Sequence, residues 1–355
     1  DWHIEAAYHH LFTNDRHIIA LINELGLQEK LIIKRPVTST LWRGKMYQLD
    51  SPKHLLLFPG LPLIDKFRTA CILTFFKFFP LWKLLERTTA ERLLISVGGK
   101  KAWNIIWEPL LYGKFSTYAP RVAASWFWAR IVKRTPSLYY VAGGFHTLVT
   151  ALEQAIITRG GTVLTSTAVN SINTVSGNRQ EIAWGTKKRI FDRVLLTLPT
   201  PLAAKITPAL PTSYLRPLTT IPHLFAQTLI IETDRPILKN VYWLNVTDRS
   251  FPFLAAVAHT NFMNPAHYGD KHLTYFGNYL PPNHPYLNMD KNQLLKIFLP
   301  FIKRLTHDST FIIHNSFLFV GPYAQPVHEV RYSEKIPPIQ TPVPHLYLAN
   351  MDFVV

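Results

Sequence analysis

Arg193-Val194-Leu195-Leu196-Thr197-Leu198 is a nearly unbroken apolar run, and Pro199-Thr200-Pro201 stops it. A strand with one face in water alternates apolar and polar residues. A run without alternation predicts a strand covered on both faces, the habit of parallel sheets in α/β folds. Upstream, Val141-Ala142-Gly143-Gly144 leads into a predicted helix with the apolar face Leu148, Leu152, Ala155 and Ile156, closed by Gly160-Gly161. Thr162-Val163-Leu164 predicts a short strand, and another is expected around Val169 and Ile172. Ser176-Gly177-Asn178 and Gly185-Thr186-Lys187 read as turns. Residues 141–199 therefore form an α/β block.

The flanking regions have a different character. Residues 14–25 predict an amphipathic helix with Ile18, Leu21, Ile22 and Leu25 on one face, Thr13 or Asn14 as its cap and Gly26 at its end. Residues 53–132 are rich in Leu, Phe and Trp, with few strand alternations, and read as mainly helical. Leu224–Glu232, Val241–Val246, Phe253–His259 and His272–Leu280 predict a mostly antiparallel sheet. A helix over Lys291–Leu305 interrupts it, with the stripe Leu294, Ile297, Phe301 and Leu305 and a kink at Pro300. Ile336–Pro344 is Pro-rich and extended, and His345–Met351 reads as a strand that has only begun an element, so the chain is expected to be part of a longer one.

Of the 355 residues, 48% are apolar or aromatic and 17% charged, which excludes a disordered chain or a coiled coil and leaves material for about two domains. Lys and Arg number 38 against 22 Asp and Glu, a formal charge of +16 that suits an anionic partner. Cys71 is the one cysteine, so no internal disulfide and no Cys-built metal site is available. Nothing demands an oxidising compartment, and a cytoplasmic location is expected. The longest apolar stretch, Thr69–Trp82, is broken by Lys77 and Pro80 and is shorter than a spanning helix of roughly 20 residues. Its preferred reading is a buried or cap helix. Its second reading is a helix lying in a membrane surface, with Lys66, Arg68, Lys77 and Lys83 around it.

No two of the 15 glycines are separated by a single residue, so the chain holds no G-x-G-x-x-G. It also lacks a P-loop, a G-x-S-x-G elbow and an H-E-x-x-H helix. Of the 15 histidines, His9-His10 fall on different faces of a helix and His267 and His272 are five apart in a loop and strand; scattered surface and hydrogen-bonded roles are the preferred reading, so no metal is expected. Lys100-Lys101 and the group Arg130, Lys133 and Arg134 lie among Trp103, Trp107, Trp126 and Trp128. Such interleaving stacks single-stranded nucleic acid in some proteins, but no nucleic-acid module accompanies it. Aromatic helices over an apolar pocket are the preferred reading.

The order Gly143-Gly144-Phe145, Leu148, Ala151-Leu152, Gly160-Gly161-Thr162-Val163, Val169 and Ile172, then Arg193–Pro201 and finally Tyr347–Met351, resembles the flavin-containing amine oxidase superfamily. That superfamily includes protoporphyrinogen oxidase, phytoene desaturase and, more distantly, UDP-galactopyranose mutase. The resemblance implies an α/β FAD-binding fold with an α+β substrate part, in which a partial FAD domain is interleaved with helices and a mostly antiparallel sheet. It divides the chain into a helical substrate part (1–135), a central FAD segment (136–212), the substrate sheet (213–340) and the start of the last FAD strand (341–355). It also implies that the N-terminal dinucleotide loop and the C-terminal flavin helix lie outside this sequence.

By the same resemblance, Val169 meets the adenine through its backbone. Thr197, Leu198 and Pro199 line the adenosine side of FAD, and Ala349, Asn350 and Met351 lead toward the flavin. Trp126, Trp128, Arg130 and His259 are candidates for the substrate cavity, and no catalytic base is assigned. The expected activity is hydride transfer from a hydrophobic or amphipathic small molecule to flavin. Two alternatives stand beside it: a redox-neutral, mutase-like enzyme with Arg and Tyr on a sugar nucleotide, and a non-enzymatic basic protein on an anionic membrane or nucleic acid.

Overall fold

The computed structural model describes residues 2–306 and 310–355. In chain order its strands are β1 (Leu11–Phe12), β2 (Leu31–Lys34), β3 (Thr38–Trp42), β4 (Lys45–Gln48) and β5 (Leu138–Val141). Then come β6 (Ser171–Thr174), β7 (Gln180–Trp184), β8 (Lys187–Phe191), β9 (Val194–Leu196) and β10 (His223–Thr233). The last are β11 (Trp243–Val246), β12 (Ala255–Ala258), β13 (His272–Leu280), β14 (Ile313–Pro326) and β15 (Leu346–Leu348). The helices are α1 (Arg16–Glu24), α2 (Pro52–Leu57), α3 (Leu63–Phe78), α4 (Trp82–Leu85), α5 (Ala90–Leu93) and α6 (Lys100–Ala102). They continue with α7 (Glu108–Phe115), α8 (Ala124–Lys133), α9 (Phe145–Thr158), α10 (Thr200–Ile206), α11 (Thr212–Thr219) and α12 (Lys291–Leu305).

The largest sheet has the order β14-β10-β13-β12-β11-β3-β4, antiparallel except for the β11–β3 pair. Successive side chains of a strand point to opposite faces. On one face, Leu229, Ile231, Leu244, Ala256 and Phe276 form a core with Leu294, Phe298, Ile302 and Leu305 of α12. The other face is small at its centre: Gly277 lies opposite Ala255 on one side and Thr228 on the other. The N-terminal segment roofs this face. A Cβ on Gly277 would lie 2.6 Å from the Tyr8 ring, so the glycine makes room for that tyrosine.

Several expectations shift. Residues 31–48, within the part expected to be helical (1–135), form β2, β3 and β4. The cap of α1 is Asp15, not Thr13 or Asn14. Thr162–Leu164 is extended but pairs with no strand, because no neighbouring ladder reaches it. The buried stripe of α12 is Leu294, Phe298, Ile302 and Leu305, with Ile297 and Phe301 only half-buried beside it, and the helix runs on through Pro300.

The α/β block is smaller than the sheet. β6, β7 and β8 form an antiparallel meander, and β9 pairs in parallel with β15, distant in the chain, with Leu346 opposite Val194 and Leu348 opposite Leu196. Leu195 was expected to be covered, yet it is 59% exposed. Only Val194 and Leu196 enter the core, because the described chain packs against one face of this pair alone. No helix among the described residues is long and apolar enough to cross a membrane.

Candidate functional site

Two parallel neighbours end on the same side of a sheet, so the loops that follow them adjoin. The carboxyl ends of such strands are where open α/β sheets hold ligands. Here the β9–β15 pair brings Thr197-Leu198-Pro199 against Ala349-Asn350-Met351. Ala349 N–H donates to the Leu196 carbonyl at 2.9 Å, and the Asn350 side-chain amide donates to the Leu198 carbonyl at 2.7 Å. Asp352 anchors the same corner. Its buried carboxylate accepts from the Thr200 hydroxyl at 2.5 Å and pairs with His223 Nε2 at 2.6 Å. Burial pushes that carboxyl up, but the hydrogen bonds from His223 and Thr200 outweigh it and hold the group below its ordinary value.

Val169 precedes β6 and packs into the core that holds Leu196, Leu346 and Leu348. Among the described residues, neither of its own peptide groups has a hydrogen-bond partner, while Asn170 N–H next to it donates to the Ala183 carbonyl. Free N–H and C=O groups on an extended segment suit the edge of an adenine. The Gly143-Gly144 turn does not offer a phosphate site. Both glycines take positive φ, +83° and +78°, and the N-terminus of α9 behind them is filled by the chain's own Glu5. The Glu5 carboxylate accepts from Phe145 N–H at 2.7 Å and from the Tyr140 hydroxyl at 2.6 Å, as expected of an anion at a helix N-terminus.

A second constellation lies where the helical block meets β13. Trp126 and Arg130 stand four apart on α8, and Arg134, four further on, ends that helix. The Arg130 guanidinium lies 5.1 Å from the Trp126 ring. Lys114 of α7 reaches the same ring at 5.9 Å and lies over Tyr279 of β13 at 3.9 Å. None of Lys114, Arg130 and Arg134 forms an ion pair among the described residues.

Burial and the neighbouring Arg130 charge push the Lys114 ammonium well down. Burial, then Arg130, takes Arg134 to about 10, with Asp50 opposing. Arg130 and Arg134 nonetheless keep open side-chain surface. The three cations and the rings beside them thus line a shallow recess that is open to solvent. Tyr8, whose hydroxyl burial and Tyr279 push up, lies within reach of the Arg130 field. His10 borders it, with Nδ1 3.2 Å from the Tyr242 hydroxyl. Burial and then Arg134, His9 and Arg130 lower its pKa to about 4, so it is neutral at pH 7.

A family model for flavin-containing amine oxidoreductases matches residues 1–352. The chain belongs to this family. Its cofactor is therefore FAD. Among solved structures, a protein of Exiguobacterium sp. 255-15 described as a protoporphyrinogen oxidase is similar at a TM-score of 0.75 and 16% identity, over 99% of this chain and 83% of that one. Reduced UDP-galactopyranose mutase is similar at 0.70 and 11%, over 93% and 74%. Cyclohexylamine oxidase from Brevibacterium oxydans is similar at 0.69 and 12%, over 98% and 82%. At these identities the likeness establishes the fold. No curated protein matches the chain.

For a flavin-containing amine oxidoreductase, the described residues fit one flank of FAD. The loops after β9 and β15 adjoin and the backbone of Val169 is free among the described residues, as an adenosine would need, whereas no glycine loop able to cradle the pyrophosphate occurs in the sequence. Of the cavity candidates, Trp126 and Arg130 meet in the recess. Trp128 does not: its Nε1–H donates to the Phe76 and Phe79 carbonyls at 3.1 and 3.0 Å, closing the end of α3. His259 is buried instead, with Nε2 2.6 Å from the Tyr268 hydroxyl, and burial lowers its pKa to about 3. Lys114, Arg134, Tyr8, His10 and Tyr279 were not singled out as cavity residues. The spacing of four from Trp126 to Arg130 to Arg134 was the available signal. Lys114 and Tyr279 meet through tertiary packing alone. No group of three or more His, Cys, Asp or Glu able to hold a metal occurs among the described residues.

Proposed function

We propose that this chain forms the substrate-binding body of an FAD-dependent oxidoreductase acting on an amphipathic small molecule that carries an acidic group. The observation behind this reading is the recess itself: three cations without carboxylate partners among the described residues, two of them set against aromatic rings. An acidic group on the substrate supplies the missing counter-charge through charge-assisted hydrogen bonds. Trp126 and Tyr279 offer apolar surface to the rest of the molecule. His10, neutral at pH 7, contributes a hydrogen-bonding nitrogen without a further charge.

FAD supplies the hydride acceptor when bound, and the protein's part is position and electrostatics. Val169 is assigned to the adenine edge, Thr197, Leu198 and Pro199 to the adenosine side, and Ala349, Asn350 and Met351 to the path toward the flavin. No residue of this chain is assigned to the pyrophosphate, since it holds no G-x-G-x-x-G.

A second reading has a specific observation in its favour. Tyr8, Tyr242 and Tyr279 accompany Arg130 and Arg134, and arginines with tyrosines also suit the diphosphate and sugar of a nucleotide sugar. That enzyme would be redox-neutral, like the mutase of similar fold. Anaerobic mixing separates the two. An amphipathic carboxylic acid that bleaches the flavin of the intact protein supports the oxidoreductase. Rearrangement of a nucleotide sugar with no net bleaching supports the mutase. Bleaching by neutral compounds alone would overturn the acidic-substrate reading.

A further inference from the structure

Helix α3 is apolar on two sides. One side is internal: Ile72 and Phe76 join Leu111, Phe115 and Phe127 in the core of the helical block. The other side carries Leu63, Phe67, Cys71, Phe75 and Phe78, all exposed, at the three- and four-residue spacing of a single helical stripe. Phe67 is 66% and Phe78 82% open to solvent. Leu57 at the end of α2 and Leu81 just beyond α3 are exposed as well, which extends the stripe at both ends. A contiguous exposed apolar surface of this kind marks an interaction face.

The charges around it name the occupant. Between residues 51 and 101 there are nine Lys and Arg against three carboxylates. Asp65 and Glu86 are buried and Glu91 is half-buried, whereas Lys53, Arg68, Lys83, Arg87 and Arg92 are exposed and free of ion pairs among the described residues. A second copy docking by two-fold symmetry would set this basic rim against itself. An anionic phospholipid surface accepts both the apolar stripe and its basic rim.

We propose that α3, with the adjoining ends of α2 and α4, lies in the surface of an anionic bilayer. Phe67, Phe75 and Phe78 enter the acyl boundary, and the exposed Lys and Arg side chains stay among the headgroups. The helix does not cross the bilayer. The proposal is independent of the reading of the recess.

The single cysteine, Cys71, sits on the exposed side of α3 and is a ready reporter. The intact protein, purified without detergent and labelled there with an environment-sensitive fluorophore, is mixed with phosphatidylcholine vesicles with or without phosphatidylglycerol. The expected result is a blue shift and co-sedimentation with the anionic vesicles, weaker by about tenfold on the neutral ones. Since the label itself occupies the face, unlabelled protein is sedimented in parallel. The double variant Phe67→Ser, Phe78→Ser changes only exposed side chains. It is expected to melt as the parent does and to lose vesicle binding by about tenfold or more. Lys83→Gln with Arg87→Gln is expected to lose the preference for anionic lipid. Failure of unlabelled and labelled protein to pellet with either vesicle overturns the proposal. So does a concentration-dependent dimer, seen by light scattering, that shields Cys71 from alkylation without lipid.

Discussion

Helices α12 and α3 are nearly equal in length, 15 and 16 residues, and both are rich in large apolar side chains, yet they meet their surroundings in opposite ways. On α12 the exposed positions are Lys291, Asn292, Gln293, Lys296, Pro300, Lys303 and Arg304, and the large apolar residues are buried or half-buried toward the sheet. A capping box between Asp290 and Gln293 satisfies its first turn. On α3 the first turn has no side-chain cap, and the exposed positions include Leu63, Ile64, Phe67, Phe75 and Phe78. A helix with one apolar stripe needs one partner. A helix with two such faces needs two, and the described chain supplies only one.

The comparison can be broken by substitution. Phe298→Ala empties a position buried between α12 and the sheet, and should cost about 3–5 kcal/mol in a denaturant titration. Phe78→Ser on α3 should cost less than about 0.5 kcal/mol, because no described residue covers it. Equal losses would mean that the open face of α3 is covered after all.

A pH series sharpens the contrast on the sheet side. Burial lowers the pKa of His259 to about 3, so it is neutral when folded and takes up a proton on unfolding once the pH is below roughly 6.5. The unfolded chain then binds more protons, and stability falls as the pH falls from about 6.5 toward 3. The contribution at pH 5 is about 2 kcal/mol. His10 acts in the same direction down to about 4. Melts at pH 7 and pH 5 should show the loss, and His259→Gln should shrink it. At the cap, Asp290→Ala should destabilise by about 1 kcal/mol, with no counterpart at Pro62, which caps α3 without a side-chain hydrogen bond.

The two helices also mark what could be read from residues alone. The existence of α12 was legible because its pattern is local, although its buried face turned out to be rotated onto Phe298 and Ile302. β10 and β13 were legible for the same reason. β14 was not among the expected strands, and it holds Gly321 and Pro322 in its interior. The strand survives because it lies at the sheet edge and its register with β10 slips between Leu224 and Ala226, a place where proline is tolerated. β3 was hidden by its polar Thr38-Ser39-Thr40, which is buried only because β11 pairs beside it. The β9 strand was legible from the apolar run at 193–198, and the cofactor flank proposed beside it rests on the likeness to a family. The recess did not, since Lys114 and Tyr279 lie far apart in the chain and only packing makes them neighbours.

The most direct test of the central claim compares 4-phenylbutyrate with its neutral amide. Their binding to the intact protein is read from tryptophan fluorescence, with flavin content measured separately by absorbance. The account expects the acid to bind at least about tenfold more tightly than the amide, near 1.4 kcal/mol, and Arg130→Gln to remove most of that difference without changing flavin content. Equal affinities for acid and amide, or a preference untouched by Arg130→Gln, would contradict it.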